Sequence, residues 1–489
     1  MRVLLVSANR EQIPDPVFPL GLAYIAAAVE ASGHQIEVAD LCFGRRPLQN
    51  LGAQIVRFKP DVIGISLRNV DNAAYPRTVG YLALHRQVVD VAHGSSDAPV
   101  VLGGSGFSIM PLAHMRELNG DWGIFGEGER AFVALLQALE QGDDPAKIAG
   151  VIPGRSYTAS STRRGLPPEP KLDWNEGLRP LRAAFDYPRY LRRGGMGNIQ
   201  TKRGCIFKCS YCTYPLLEGN RFRTRDPVDV VDEIESLQRD FGPHPLFFVD
   251  SILNFPHGHV EAICEEILSR GLTLRWSCYA TPVKLDRNQA KLMARAGCEG
   301  IELGTDAVDD DQLARLGKSF DVATAERANR YCLEAGLRVC HSIIFGGPGE
   351  TEASVRTTCE ALVRMRPTAV IAMTGIRLYP GTPLSQSLIR TGSLDPDEIG
   401  LLPTFYIDPA VAEFLPGYLL KQAYKAGNWV LPGLVPPILP RTQRLLRSLG
   451  ISGPLWRLFQ KSLMQRLYRA HFKGQKTSWG TSNASRKVI

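Results

Sequence analysis

The chain has 489 residues, 44% of them hydrophobic and 22% charged, an ordinary globular composition that excludes collagen-like, coiled-coil and wholly disordered proteins. The length is enough for about two to four domains. The net charge of +8 is local: Arg441 to Ile489 holds eleven Lys or Arg and no Asp or Glu, which leaves the first 440 residues slightly acidic and argues against nucleic acid as a partner.

In chain order, Val3–Val6, Ile36–Ala39, Val62–Leu67, Val100–Leu102 and Trp122–Phe125 read as strands. Helical patterns occupy Leu22–Ser32 and the stretch from Gly128 to about Leu139. Strands alternating with helices predict a doubly wound parallel-sheet domain over 1–145, with ligands at the carboxyl ends of the strands. Small residues lie there: Ser66, Gly103 and Gly104. Residues 146–194 read as a linker rich in Gly, Pro and Arg. A second βα series fills 195–394. Its predicted strands are 198–201, 246–250, 274–279, 300–303, 338–345 and 369–378, and five helices lie between them. Six such units predict a partial (β/α)6 barrel with its chemistry at the strand C-termini. Residues 395–489 read as a mainly helical C-terminal region, ending in a basic amphipathic segment over 441–473.

No run of about 18 uncharged apolar residues is present, and the N-terminal apolar stretch is too short for a secretory signal. The expected compartment is the cytoplasm. Ten cysteines are too few for a disulfide scaffold, so a cluster of them points to metal or catalysis.

That cluster is Cys205-Ile206-Phe207-Lys208-Cys209-Ser210-Tyr211-Cys212, directly after a predicted strand. Soft thiolates suit an iron–sulfur cluster or zinc. Three ligands on a four-iron cubane leave one iron open to a non-protein ligand, whereas a structural zinc would want a fourth residue nearby. Elsewhere, Cys42, Cys264, Cys278, Cys298, Cys332, Cys340 and Cys359 show no ligand spacing and read as core. His341, on the fifth strand, reads as a core residue that could also face the lumen.

Residues 195–390 resemble the radical S-adenosylmethionine (SAM) superfamily. The resemblance rests on the three cysteines and on Tyr211 before the last of them. It also rests on Gly300–Thr305, on the glycine-rich Phe345–Thr351 and on the turn Tyr379–Leu384. It implies a 4Fe–4S cluster held by Cys205, Cys209 and Cys212, with SAM chelating the open iron and cleaved by one electron to a 5′-deoxyadenosyl radical. Tyr211 and Glu302 would then lie against SAM. Arg377 would be either a SAM-carboxylate contact or a salt-bridge partner. One departure is that the second strand ends in Val249-Asp250-Ser251 rather than in a Gly-Gly-Glu type of turn.

The first domain is similar to the cobalamin-binding domain that precedes this core in one subgroup. Pro19–Leu22, Gly64–Leu67, Gly103-Gly104 and Gly126–Glu129 carry the likeness, which implies cobalamin contacts from Ser66, Gly103, Gly104 and Glu127. No D-x-H-x-x-G element is present, so cobalamin is expected without a histidine on cobalt from that motif.

The resemblance implies a cobalamin-dependent radical SAM enzyme, a C-methyltransferase acting on an unactivated carbon of a lipid or natural-product intermediate. Alternatives are a radical SAM cyclase or rearrangement enzyme on a tetrapyrrole or natural-product skeleton, and a cobalamin-binding sensor. The partners implied are a small-molecule or lipid substrate and a reducing donor such as flavodoxin or ferredoxin. Leu445, Leu446, Leu449, Trp456, Leu458 and Phe459 in the basic tail suggest peripheral membrane contact. No individual catalytic side chain stands out.

Overall fold

The computed structural model describes residues 1–154, 171–174, 177–435, 440–460, 466 and 487–489. Contacts divide the chain into two compact units, one of 1–72, 80–193 and 216–218, the other of 73–79, 194–215 and 219–489. The predicted linker therefore packs with the first domain, as far as it is described, and the C-terminal region packs with the barrel.

The first unit is built on β1 (Arg2–Ser7), β2 (Gln35–Asp40), β3 (Val62–Ser66), β4 (Val100–Gly103), β5 (Trp122–Ile124) and β6 (Val151–Pro153), in the order β2-β1-β3-β4-β5-β6. The first five are parallel and β6 is antiparallel to β5. Residues Val3 to Val6 are wholly buried because helices cover both faces of the sheet. Sequence order reverses between β1 and β3, which makes their C-terminal ends the switch point where open α/β sheets bind ligands. The helices Pro47–Phe58, Leu82–Ser95 and Pro111–Leu118 and the strand β6 go beyond the elements expected from sequence.

In the second unit the strands are β7 (Gly197–Ile199), the short β8 (Lys202–Arg203) and β9 (Arg223–Thr224), then β10 (Leu246–Phe248), β11 (Trp276–Ala280), β12 (Cys298–Asp306), β13 (Arg338–Phe345), β14 (Ala369–Thr374), β15 (Ile376–Arg377), β16 (Thr404–Tyr406) and β17 (Trp429–Val430). The main sheet runs β7-β10-β11-β12-β13-β14-β17 and is parallel throughout. It is the expected six-stranded open barrel with one two-residue strand added at its far edge. The intervening helices begin where a short polar side chain can cap them. Asp226, Asp286, Asp309, Asp321, Thr351 and Thr382 each accept a backbone N–H from the first turn that follows.

Burial alternates along the sheet. Ile301, Leu303, Val339, Ile343, Val370 and Ala372 are buried against the helices, whereas Glu302, Gly304, Ser342, Ile344, Ile371 and Met373 are partly exposed on the inner face. His341 belongs to the helix side. Its Nδ1 lies 2.7 Å from Thr305 Oγ1 and its Nε2 3.1 Å from Asn329 Oδ1. Burial lowers its pKa to about 3, so it is a neutral core residue.

Candidate functional site

The cysteine loop leaves the sheet at the C-terminal end of β7, and buried polar groups fix its departure. Asp250, just past β10, accepts the Thr201 N–H at 2.7 Å, the Thr201 hydroxyl at 2.6 Å and the Lys202 N–H at 3.2 Å. Lys202 Nζ stands 3.4 Å from the same carboxylate and donates to Leu253 O at 3.1 Å. The β8–β9 ladder closes the loop's base. Between them Gly204 takes φ +91°, and a Cβ there would lie 1.9 Å from Arg221 O, so only glycine fits. Nothing in the sequence spacing marked Asp250 as the anchor, although its place at the second strand's end was read.

Other elements hold the loop from above. Ser210 donates its N–H to Leu316 O at 2.9 Å, and Leu384 donates to Ser210 O at 2.8 Å. Cys212 N–H closes a turn on Cys209 O at 3.2 Å. Cys205 is buried, while Cys209 and Cys212 are partly exposed. Burial raises the Cys212 thiol to about 12, and the neighbouring Cys209 and Cys205 add to the shift, so the three sulfurs share one neighbourhood. Yet among the described residues no three His, Cys, Asp or Glu side chains converge as they would on a single ion. Three thiols in one loop match the protein ligand set of a four-iron cubane, which leaves one iron open to a non-protein ligand.

Tyr211 turns its hydroxyl onto Asp306 at the end of β12, and Lys318 Nζ lies 2.5 Å from the same carboxylate. Burial is the largest single influence on Lys318 and lowers its pKa, but Asp306 together with the neighbouring Cys209 and Cys212 outweighs it, and the result is a rise. The glycine turn after β13 is closed on itself. Glu350 accepts the N–H groups of Gly346 and Gly347, and burial raises it to about 7. Gln312 lies against Gly347 with both of its amide atoms buried and without a partner. A SAM carboxylate or amine reaching this rim would satisfy that amide, so the residues present fit the cofactor.

Two residues singled out for SAM are committed elsewhere. Arg377 donates to Leu378 O at 2.6 Å and to Gly400 O at 3.0 Å, pinning the 400–404 segment. Glu302 stands four residues before Asp306 on β12, roughly 13 Å lower at about 3.3 Å per residue. Its Oε1 accepts the indole N–H of Trp456 at 2.7 Å. Trp456 and Phe459 pack with Cys340 and Ala369 and fill the inner face at the strand N-termini. Burial raises Glu302 to about 7 while the Trp456 bond lowers it. A raised carboxyl stabilises the fold fully below its ordinary value of 4.5, and that contribution is lost as the pH climbs through about 7.

The apolar residues of the basic tail do not all face outward. Trp456 and Phe459 are buried floor residues of the barrel, not membrane anchors. Leu445 and Leu449 are exposed, but two leucines on a nine-residue helix, Pro440–Ser448 and its end, make a small apolar surface. Residues 461–465 and 467–473 of the expected amphipathic segment lie outside the described residues. Among the described residues no helix is long and apolar enough to cross a membrane. Trp456→Ala is expected to cost about 3–5 kcal/mol, the usual penalty for deleting a buried large aromatic, read as a lower denaturant midpoint at unchanged slope. An unchanged midpoint would mean that the floor is not packed as described.

In the first unit, the loops after β3 and β4 lie tightly on one another. Gly104 takes φ +99°, and a Cβ there would be 2.8 Å from Leu67 O. Ser108 Oγ accepts the Gly126 N–H at 2.9 Å. Glu127 is turned to the linker, accepting the Leu172 N–H at 2.8 Å with Lys171 Nζ at 3.8 Å. Gly103 stays open, since a Cβ there would meet only ordinary contacts at 3.8 Å or more. Ser66 Oγ, at the end of β3, has no hydrogen-bond partner among the described residues. A cleft at the β1/β3 switch point is lined by Asn9, Arg10, Arg68, Asn69, Tyr81 and His85, among others. His85 Nδ1 is buried there without a partner, and burial lowers its pKa to about 4. The unpartnered imidazole nitrogen of His85, in the helix Leu82–Ser95 beside these strand ends, is a group that an amide-rich ligand such as cobalamin would satisfy. The imidazole of His85 went unnoticed in the sequence because no spacing distinguishes it from a core histidine.

Comparison with known proteins agrees with both halves. The B12 binding domain model matches residues 6–136, and the Radical SAM superfamily model matches 199–362. A tryptophan 2-C-methyltransferase from Streptomyces laurentii is 29% identical over 442 residues, covering 78% of this chain and 73% of its own. An anaerobic magnesium-protoporphyrin IX monomethyl ester cyclase from Rubrivivax gelatinosus is 26% identical over 376 residues, covering 73% of this chain and 65% of its own. A radical SAM methyltransferase from Kitasatospora setae, solved with tryptophan substrate and a SAM analogue, superposes with a TM-score of 0.81 at 25% identity, covering 96% of this chain and 99% of its own. The chain belongs to the cobalamin-dependent radical SAM enzymes, whose cofactors are a 4Fe–4S cluster, SAM and cobalamin.

Proposed function

We propose that the protein is a C-methyltransferase acting on a carbon of a small natural-product intermediate, with Cys205, Cys209 and Cys212 as its three cluster ligands. The observation that supports this reading most is the cysteine loop itself: three neighbouring thiols at the C-terminal mouth of an open barrel. When bound, the cluster and SAM supply one-electron chemistry and cobalamin carries the methyl group. The chain's share is to hold the cysteine loop rigid through Asp250, to close the barrel floor with Trp456 and Phe459, and to leave an inner face of Ile344, Ile371 and Met373 above that floor. A dry, mostly apolar inner face protects a reactive carbon centre from water. The burial of Trp456 and Phe459 removes the strongest argument for a lipid substrate, and a soluble molecule is the better reading. Reduction would come from a low-potential one-electron donor of flavodoxin or ferredoxin type.

The test is anaerobic reconstitution with cobalamin and methyl-labelled SAM, followed by mass analysis of products from lysates of the source organism. Methyl transfer adds one CH2 carrying the label. The similarity to a cyclase supports a second reading, ring closure, which would leave the product without labelled carbon. For bound cobalamin, the loop from Ala8 to Pro19 supplies no histidine. The cobalt(II) electron paramagnetic resonance spectrum is therefore expected to show no nitrogen superhyperfine splitting that a His85→Ala variant removes. Splitting lost in that variant would put a protein imidazole on cobalt and count against the reading.

A further inference from the structure

Lys318 and Asp306 form a buried ion pair that the chemistry described so far does not use. Their side chains are 8% and 5% exposed and 2.5 Å apart. The ammonium reaches past the carboxylate to Cys209, with Nζ at 3.8 Å from Sγ. The backbone fixes this placement. The helix Asp310–Arg315 ends in paired bonds from Gly317 N to Ala314 O and from Lys318 N to Leu313 O, the Schellman arrangement. Gly317 takes φ +71°, and a Cβ there would lie 2.6 Å from Lys208 O and 3.5 Å from Cys209 Cα. The turn is thus pressed onto the cysteine loop, and the next residue, Lys318, is delivered to the sulfur. On the other side Asp306, at φ +66°, is held by the Tyr211 hydroxyl as well as by Lys318.

We propose that Lys318 and Asp306 set the reduction potential of the cluster, with the ammonium at Cys209 favouring its reduced state and Asp306 holding that ammonium in place. The inference rests on the reading of Cys209 as a cluster ligand. In the reduction one electron passes from the donor to the cluster, which goes from a 2+ to a 1+ core, and no proton moves. The added negative charge is stabilised by a fixed cation a few ångströms away, and burial keeps solvent ions from screening it. Net charge and hydrogen bonds at the sulfurs are among the levers that set such potentials. The pair is a dipole with its positive end at the sulfur, so its two members should act with opposite sign. Lys318 and Asp306 are positioning residues in this account.

The experiment uses full-length reconstituted protein, wild type and three variants, with iron and sulfide content determined first. Dithionite titration followed by electron paramagnetic resonance then gives the cluster potential without SAM. Lys318→Met is expected to lower it, with about a tenfold smaller reduced-to-oxidised ratio at a fixed potential, equivalent to 59 mV for one electron. Lys318→Arg keeps the charge and should restore most of the shift. Asp306→Asn removes the negative end, suits a left-handed backbone, and should move the potential upward. A merely structural pair would not give opposite shifts at equal iron content. Equal potentials in all four proteins would overturn the inference alone. If Lys318→Met does not load iron, Asp306→Asn decides, and an unchanged or lower potential overturns the inference. A wild-type chain that loads no 4Fe–4S cluster would overturn the cysteine reading and this inference with it.

Discussion

Alanine at Cys205, Cys209 or Cys212 is expected to reduce SAM cleavage to background, the largest effect any single substitution should have here. On the proposed reading each thiol would serve a different iron, so no neighbour could take over a missing contact. The cluster's charge-transfer absorbance and iron content after reconstitution should fall together with 5′-deoxyadenosine formation. The Lys318 ammonium, 3.8 Å from Cys209 Sγ, is a donor and cannot ligate iron while charged. Full 5′-deoxyadenosine yield from a triple-alanine variant would falsify the cluster assignment.

The second large effect is expected at Asp250. Its carboxylate is wholly buried and receives two backbone N–H groups, one hydroxyl and the Lys202 ammonium. Asp250→Ala would leave the buried ammonium without its counter-charge and two amides without an acceptor. The cost should be about 3–5 kcal/mol, the range for breaking a buried charge pair from one side. Lys202→Met should cost less, because Asp250 keeps its three shorter bonds and the ammonium contact, at 3.4 Å, is the longest of the set. Chemical denaturation of both variants gives the order. A larger loss for Lys202→Met would mean that the ion pair, rather than the nest of short bonds, anchors the strand. Because Gly204 and Cys205 follow directly, Asp250→Ala should also lower iron retention in the fraction that remains folded.

The sequence was most legible where a repeated physical demand left a repeated mark. The strand run Val62–Leu67 is apolar because both faces of a parallel sheet are covered, the core side of Arg338–Phe345 is apolar because helices cover it, and helix starts are marked by the aspartates and threonines that cap them. The cysteine loop was legible for a different reason, since metal ligands must be close in sequence to share one loop. The floor was not. Trp456 lies in a segment whose charge and apolar spacing suit a membrane surface equally well, and only the packing of its short helix against Cys340 and Ala369 brings its indole to Glu302. Arg377 and Glu127 were equally ambiguous. A charged side chain near a strand end serves a ligand or a backbone carbonyl, or accepts an N–H from a linker, and sequence spacing does not distinguish these uses. Asp306 and Lys318 are twelve residues apart and follow no motif, so their meeting depends on one left-handed glycine at the end of a six-residue helix.

The two residues of β17 have a consequence for how the barrel survives as a unit. Trp429 and Val430 pair with Val370 and Ile371 of β14. Without them β14 would present a row of unpaired amide and carbonyl groups beside Ile371 and Met373, in a strand otherwise made of alanine, valine and threonine. Such an edge is a template for other chains. A protein cut after residue 394 would keep all six strands of the barrel core and every cysteine ligand, yet it would expose that template and lose the Trp456 floor at the same time. Aggregation during synthesis, rather than loss of cofactor affinity, would then limit its yield. The C-terminal region therefore closes an edge that the barrel core would otherwise leave open.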